Sequence, residues 1–131
     1  MSEGSRNLTL TAPATSDALQ ILRAVASSVA ARLEFPFDTV DELRIAVSEA
    51  GTLLLAAGGS QLHLEIDPAG PHFDAMVWTD GADEALWTDE VVNGSWAWQV
   101  IQGLCDEAER TLHEGRPGIR LIRRRAGKNG P

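Results

Sequence analysis

The sequence has few of the residues that crosslink small secreted domains or bind metal ions. It contains one cysteine, Cys105, and therefore cannot form an internal disulfide. Its three histidines, His63, His72 and His113, are scattered at no spacing typical of metal ligands. We expect no metal site, and we interpret Cys105 as an ordinary packing residue.

Long apolar runs are also missing. No run approaches the roughly 20 residues that a membrane-spanning helix needs. The first seven residues, MSEGSRN, are polar and lack the charged-then-apolar pattern of a secretion signal. We therefore expect a cytoplasmic protein without membrane contact. A length of 131 residues predicts a single domain, residues 1–131.

The net charge of −8 is unevenly distributed. All 19 acidic residues lie within residues 1–115 beside five basic ones, whereas residues 116–131 contain six basic residues and no acid. An acidic body repels phosphates, so it disfavours nucleic acid; it either suits a partner with a basic surface or serves solubility alone. The basic C-terminal tail, about 123–131, has two interpretations: contact with nucleic acid, or the solvent face of a strand followed by a frayed terminus.

Apolar spacing predicts the elements of the first half. The segment LTLTAP alternates apolar and polar residues and predicts a strand that Pro13 ends. From Ser16, a predicted N-cap, apolar residues recur at three- and four-residue steps and predict a helix. Pro36 ends that helix, Asp38 is predicted to cap a second one, and Gly58–Gly59 stops the second helix.

The second half alternates in the same way. QLHLEID and HFDAMVWTD predict an antiparallel hairpin, residues 81–94 a loop, and residues 95–109 a third helix capped by Ser95. RTLHEG and GIRLIRRR predict a closing hairpin. The resulting fold class is α/β, a two-layer sandwich in which about three helices cover one face of a mixed or antiparallel sheet.

The segment DELRIAVSEA, residues 41–50, carries a family resemblance. It resembles the first conserved helix of the bacterial anti-sigma factor and serine protein kinase family, within the GHKL ATPases. In that family the helix ends in Glu-Ala-x-x-Asn, where the glutamate assists the nucleophile or a water and the asparagine holds Mg²⁺ against the ATP phosphates. Glu49 and Ala50 match this motif, and Leu53 stands in the asparagine position.

Leu53 has no oxygen to offer Mg²⁺, which prefers oxygen ligands. The resemblance therefore implies that Mg-ATP binding is doubtful, that phosphoryl transfer is impaired, and that no resident cofactor is expected. Glu49 has two interpretations: a remnant catalytic base that also contacts nucleotide, or a partly exposed residue at the helix edge.

The second motif of the family, Asp-x-Gly-x-Gly, falls on WTDGAD in either of two registers. Asp80 takes the aspartate position in one register, and Gly81 takes the first glycine position in the other, which puts Thr79 in the aspartate position. Neither register is complete. Asp80 and Gly81 are candidate nucleotide-binding residues by resemblance, and an ordinary turn is the alternative.

The third motif, similar to GxGLxLI, aligns with SWAWQVI. Ser95 and Ala97 occupy its glycine positions and become candidate nucleotide-binding residues, since a helix start can bind phosphate. The neighbouring indoles favour a packed helix start instead.

Three tryptophans are candidate partner-binding residues, because exposed aromatic side chains often anchor protein interfaces. Trp96 and Trp98 are two residues apart on a predicted helix and cannot both face one core, so at least one of them is expected to be partly exposed. Trp87, in the acidic loop, is expected either to be exposed or to fold back over the vacated nucleotide pocket.

The resemblance covers nearly the whole chain, and IQGLCDEAE is similar to the LADEVE segment of the family. It implies an anti-sigma factor of the actinobacterial general-stress or sporulation type, a homodimer that sequesters an alternative sigma factor of RNA polymerase. A STAS-type antagonist would release the sigma factor, and no direct contact with nucleic acid is expected. The alternatives are an active serine protein kinase that phosphorylates the antagonist, and an orphan GHKL-like interaction domain.

Overall fold

A computed structural model describes residues 7–126, so residues 1–6 and part of the predicted basic tail, residues 127–131, lie outside the described residues. The elements in chain order are β1 (Leu8–Pro13), α1 (Ser16–Arg32), α2 (Phe37–Ala56), β2 (Gln61–Ile66), β3 (Phe73–Asp80), a 3₁₀ turn (Glu84–Leu86), α3 (Asp89–Asn93), α4 (Trp96–Leu104), β4 (Glu107–His113) and β5 (Arg116–Arg123).

The five strands form one sheet in the order β1-β2-β3-β5-β4, and every neighbouring pair is antiparallel. Strand alternation separates its two faces. On one face, apolar residues such as Leu64, Val77 and Ile119 are buried under the helices. The opposite face, which we call the open face, carries mainly polar side chains. The predicted two-layer α/β sandwich is confirmed.

Helix α2 is the central element of the helix layer, since it packs against α1, α4 and the sheet. Its small residues permit this close approach. A Cβ atom on Gly51 would lie 2.6 Å from Cδ2 of Leu19 on α1. Its buried apolar residues are Leu43, Ala46, Val47, Ala50, Leu53 and Leu54.

Two predicted helix caps are wrong by one or two residues. The N-cap of α1 is Thr15 rather than Ser16, and the N-cap of α2 is Pro36 rather than Asp38. Neither N-cap side chain bonds to its helix. Pro36 has the extended ψ of 155° that precedes a helix, so α2 begins at the next residue and Asp38 lies in its first turn.

The predicted third helix, residues 95–109, ends at Leu104, and Glu107 begins β4. The N–H of Cys105 still bonds to Ile101 of the helix, but the N–H of Asp106 donates to the carbonyl of Ile122 on β5 at 2.8 Å. Pairing with β5 therefore overrides the helical pattern. Apolar spacing did not reveal this, because the strand partner is distant in sequence.

Residues 81–94, predicted as a loop, contain the 3₁₀ turn and α3. The Asp83 side chain accepts a hydrogen bond from the N–H of Ala85, and that of Thr88 accepts one from the N–H of Val91. These local caps stabilise short elements that have no apolar period of their own.

Much of the positive charge of the last sixteen residues is paired with the acidic body. Arg116 to Arg123 form β5, and four arginines from this part of the chain make ion pairs with acids on other elements. The pairs are Arg116–Asp80, Arg120–Asp74, Arg123–Glu42 and Arg124–Glu107. This pairing favours the interpretation of the segment as a strand.

Arg123 joins three elements at the base of α4. Its Nη1 donates to Glu42 of α2 at 3.0 Å and to the carbonyl oxygen of Leu104, the last residue of α4, at 2.7 Å. A cation at this position satisfies a carbonyl that the helix itself leaves without a partner.

No helix among residues 7–126 combines the length and the apolar character that crossing a bilayer requires.

We predict that Arg123→Gln lowers the free energy of unfolding by about 1–3 kcal/mol, because it removes charge-assisted bonds to both α2 and α4. The matched control is Arg124→Gln. The ion pair of Arg124 with Glu107 is about half exposed (51% and 52%), so its loss should cost under about 1 kcal/mol. Urea unfolding at neutral pH measures both, and equal losses would contradict the role given to Arg123.

Candidate functional site

The segment that carries the family resemblance lies along the contact of α2 with α4. Arg123 holds Glu42, near the start of α2, beside Leu104 at the end of α4. Helix α4 therefore runs back along α2. Glu49 is two turns beyond Glu42 on the same stripe of α2, toward the start of α4. It is partly buried, and its carboxylate has no hydrogen-bond or ion-pair partner among residues 7–126.

One turn beyond Glu49 the stripe becomes apolar. Leu53 is 8% exposed and belongs to the same core cluster as Trp98 of α4. The position that carries the Mg²⁺ ligand in the resembling family is thus part of the hydrophobic core. A hydrocarbon side chain here offers no lone pair to a cation.

The start of α4 is capped by its own sequence, as predicted for Ser95. The Ser95 hydroxyl accepts a hydrogen bond from the N–H of Trp98 at 3.1 Å and donates to the carbonyl of Val92 at 2.7 Å. Ala97 is partly buried. One amide of the first turn, which a phosphate would otherwise contact, is therefore already bonded to Ser95.

The three candidate tryptophans have different environments. Trp98 is 6% exposed and Trp96 is 72% exposed, which confirms that the two do not share one core. Trp87 is 8% exposed and packs into the core cluster. The guanidinium of Arg110 lies 5.7 Å from the centroid of the Trp87 ring and donates to its carbonyl oxygen at 2.8 Å. Trp87 is therefore buried rather than exposed, as expected if its loop folds back.

Asp80 and Glu49 are on opposite sides of the sheet. Asp80 ends β3 with its carboxylate on the open face, 3.0 Å from Nε2 of His63 and 2.7 Å from Nη1 of Arg116. Thr79, one residue earlier, faces the helices, is fully buried, and donates its hydroxyl to the carbonyl of Gln61 at 2.5 Å. The structure therefore does not bring Asp80 to the α2–α4 contact.

Gly81 is part of a turn between β3 and the 3₁₀ segment. Its φ is +72°, a left-handed conformation that favours glycine. Two residues later, the N–H of Asp83 donates to the carbonyl of Ala57 at 2.8 Å, which ties the segment to the end of α2. Gly81 therefore has the geometry of an ordinary turn, which was the alternative to a nucleotide-binding role.

These side chains do not form a ligand set for Mg-ATP. Leu53 has no oxygen, the carboxylate of Asp80 lies on the far face in an ion pair, and the hydroxyl of Ser95 is bonded within its own helix start. Glu49 is the one candidate whose carboxylate combines partial exposure with a position along the α2–α4 contact.

A cluster on the open face was not found from the sequence. Its centre is Trp78, whose ring stacks on His63 with 5.0 Å between centroids and lies 4.0 Å from the centroid of His113. Gly118 pairs with Trp78 across the sheet and has no side chain to obstruct the indole. Strand alternation places His63 and Trp78 on the polar face, but only the strand register shows that they meet.

Asp80 anchors the edge of this open-face cluster. A hydrogen bond from His63, and then one from Arg116, hold the pKa of the Asp80 carboxyl below its usual 3.8. An ionised carboxylate only accepts hydrogen bonds, so His63 donates from Nε2, and its Nδ1 lies 2.8 Å from the Thr11 hydroxyl. The chain Thr11, His63, Asp80 and Arg116 thus links strands β1, β2, β3 and β5.

No protein-family model matches the chain, and no curated protein is significantly similar to it. Function is therefore inferred from the residues themselves and from the family resemblance of their motifs.

We predict that Asp80→Asn reduces the pH dependence of stability. Because folding lowers the pKa of Asp80 below 3.8, its carboxylate stabilises the fold at pH values above the unfolded pKa, and this contribution is lost as the pH falls through the lowered pKa of the folded state. The difference in unfolding free energy between wild type and Asp80→Asn should therefore shrink over that range.

The control for this prediction is Asp89→Asn, since the Asp89 carboxylate pairs with Arg110 but is 83% exposed. Urea unfolding across the pH range measures all three proteins. A wild-type-to-Asp80→Asn difference that is constant with pH would contradict the stabilising ion pair.

Proposed function

We propose that the chain is an anti-sigma factor, a binding module that sequesters an alternative sigma factor of bacterial RNA polymerase without turnover of ATP. The absence of ATP turnover is inferred from Leu53. This residue is 8% exposed, lies in the core and occupies the position of the family's Mg²⁺ ligand. The assignment as an anti-sigma factor rests on the resemblance of residues 41–50 and 95–109 to that family.

The order of elements supports the assignment. Two helices follow the first strand, a hairpin follows the helices, and a last helix precedes the closing hairpin, which is the order expected from the resemblance. The chain has the Glu49 and Ala50 of the family motif, but the core residue Leu53 occupies the position of the motif's asparagine. Selection for partner binding preserves a fold while a nucleotide site is lost.

The surface around Trp96 supports a role in binding a protein. Trp96 is 72% exposed, and two apolar residues of the preceding segment, Leu86 and Val91, are 44% and 50% exposed. Exposed acids, Glu84 and Glu90, belong to the same segment. We propose that this surface, defined by Leu86, Val91 and Trp96, contacts a basic amphipathic helix of the sigma factor.

The remaining features follow from the family resemblance as part of the same proposal. The protein acts in the cytoplasm, where sigma factors bind core polymerase, as a homodimer whose sigma factor is released by a STAS-type antagonist. A serine protein kinase is the second candidate, favoured by the unpaired carboxylate of Glu49. Transfer of labelled phosphate from ATP to a STAS-domain antagonist would identify it.

We predict that the purified full-length chain binds one of the purified alternative sigma factors of its host equally well with and without Mg-ATP. Trp96→Ala should weaken that complex by about tenfold or more, because exposed tryptophans at interfaces contribute strongly to affinity. Phe37→Ala is the matched control, since Phe37 is 84% exposed at the start of α2, at the opposite end of the α2–α4 contact from Trp96, and should have no effect. Biolayer interferometry measures the affinities.

Two outcomes would contradict the proposal. Binding to a sigma factor only with Mg-ATP would show that the nucleotide site works, and binding to none of the sigma factors would leave an interaction domain of another kind.

A further inference from the structure

A cavity of about 430 Å³ lies on the open face, on the far side of the sheet from the α2–α4 contact. The strand register places residues of three strands around it. They are Glu65 on β2, Asp74 and Met76 on β3, and Arg120 and Ile122 on β5. Cavities of roughly 300–1,000 Å³ are typical of small-molecule sites. None of the candidate nucleotide-binding residues lines this cavity, so a ligand here goes beyond the proposed function.

Part of the cavity wall is apolar. Met76 and Ile122 are partly buried residues of the neighbouring strands β3 and β5. Pro71, in the turn between β2 and β3, adds a third apolar side chain. A thioether is flexible and polarizable, so Met76 can pack against ligand bodies of several shapes, flat rings included. The cavity can therefore hold the apolar part of a small molecule.

The positive charges of the cavity are already compensated by acids. The guanidinium of Arg120 donates to both carboxylate oxygens of Asp74, at 3.1 and 2.7 Å. The other arginine of the cavity, Arg124, is paired with Glu107. An anionic ligand would have to compete with these carboxylates for the two guanidinium groups.

Two negative charges of the cavity lack such compensation. Glu65 accepts a hydrogen bond from the side-chain amide of Asn7 at 2.6 Å, and Asp67 accepts one from the N–H of Ala69 at 2.9 Å. Both donors are neutral, and within residues 7–126 neither carboxylate forms an ion pair. Both residues are partly exposed and line the cavity. The uncompensated charge of this site is therefore negative.

We propose that the open-face cavity binds a small organic cation, a protonated amine, amidine or guanidine on a compact apolar body. The cationic group bonds to Glu65 and Asp67, and the apolar body packs on Met76 and Ile122. Hydrogen bonds between two charged groups are about twice as strong as neutral ones, and a planar cation can bond to a carboxylate through two N–H groups. The carboxylates thus select the charge, and the apolar wall selects the body.

The experiment uses three probes of nearly equal size and shape: benzamidine, a cation; benzamide, which is neutral; and benzoate, an anion. Each is titrated into the complete ¹⁵N-labelled chain and followed by two-dimensional NMR. We expect saturable binding of benzamidine with a dissociation constant of about 1 mM or below. Benzamide should bind about tenfold more weakly and benzoate not at all. The shifts should concentrate at the amides of Gly70, Met76 and Ile122.

Two conservative variants test the carboxylates. Glu65→Gln and Asp67→Asn each remove one charge with little change in volume, and each should raise the dissociation constant for benzamidine about fivefold or more. Glu109→Gln is the matched control. Glu109 lies on the same face, opposite Arg120 on β5, and is exposed outside the cavity lining. Its removal should change the constant less than about twofold.

Four results would overturn the inference: no saturable binding of benzamidine, equal binding of benzamide, shifts centred on α4 instead of the open face, or an effect of Glu109→Gln equal to that of Glu65→Gln. All four concern the open face and leave the anti-sigma proposal standing. A chain that binds benzamidine as expected but binds no sigma factor would do the reverse.

Discussion

The burial of α2 on three sides is the constraint on which the rest of the structure depends. The helix contacts α1 through small residues such as Gly51, the sheet through its apolar face, and α4 along a third stripe. The third contact decides the chemistry, because it runs through the residues that resemble a nucleotide site. Leu53, one turn beyond Glu49, belongs to the core at this contact.

Under the proposed function, the surface defined by Leu86, Val91 and Trp96 contacts the sigma factor. Leu86, Val91 and Trp96 are exposed apolar residues of one stretch of the chain, and the exposed acids Glu84 and Glu90 belong to the same stretch.

Local sequence patterns predicted most of the fold, and long-range pairing accounts for what they missed. The apolar period located α1, α2 and the start of α4, and Ser95 was found as a cap because its role is local. The end of α4 was missed, since the N–H of Asp106 bonds to Ile122 on a strand that follows it in sequence. The same limit applies to the site: strand alternation puts the adjacent residues Thr79 and Asp80 on opposite faces, but it does not show which residues of the other strands each of them meets. The open-face cluster needs the register of four strands, and no local pattern contains it.

We propose that the α2–α4 contact does not bind Mg-ATP and that the fold serves to bind a protein. Isothermal titration of the wild-type chain with Mg-ATP tests this most directly. We expect no measurable heat of specific binding, the same result as for Glu49→Ala. Saturable binding by the wild type that Glu49→Ala abolishes would contradict it, and would show that Leu53 does not exclude the nucleotide.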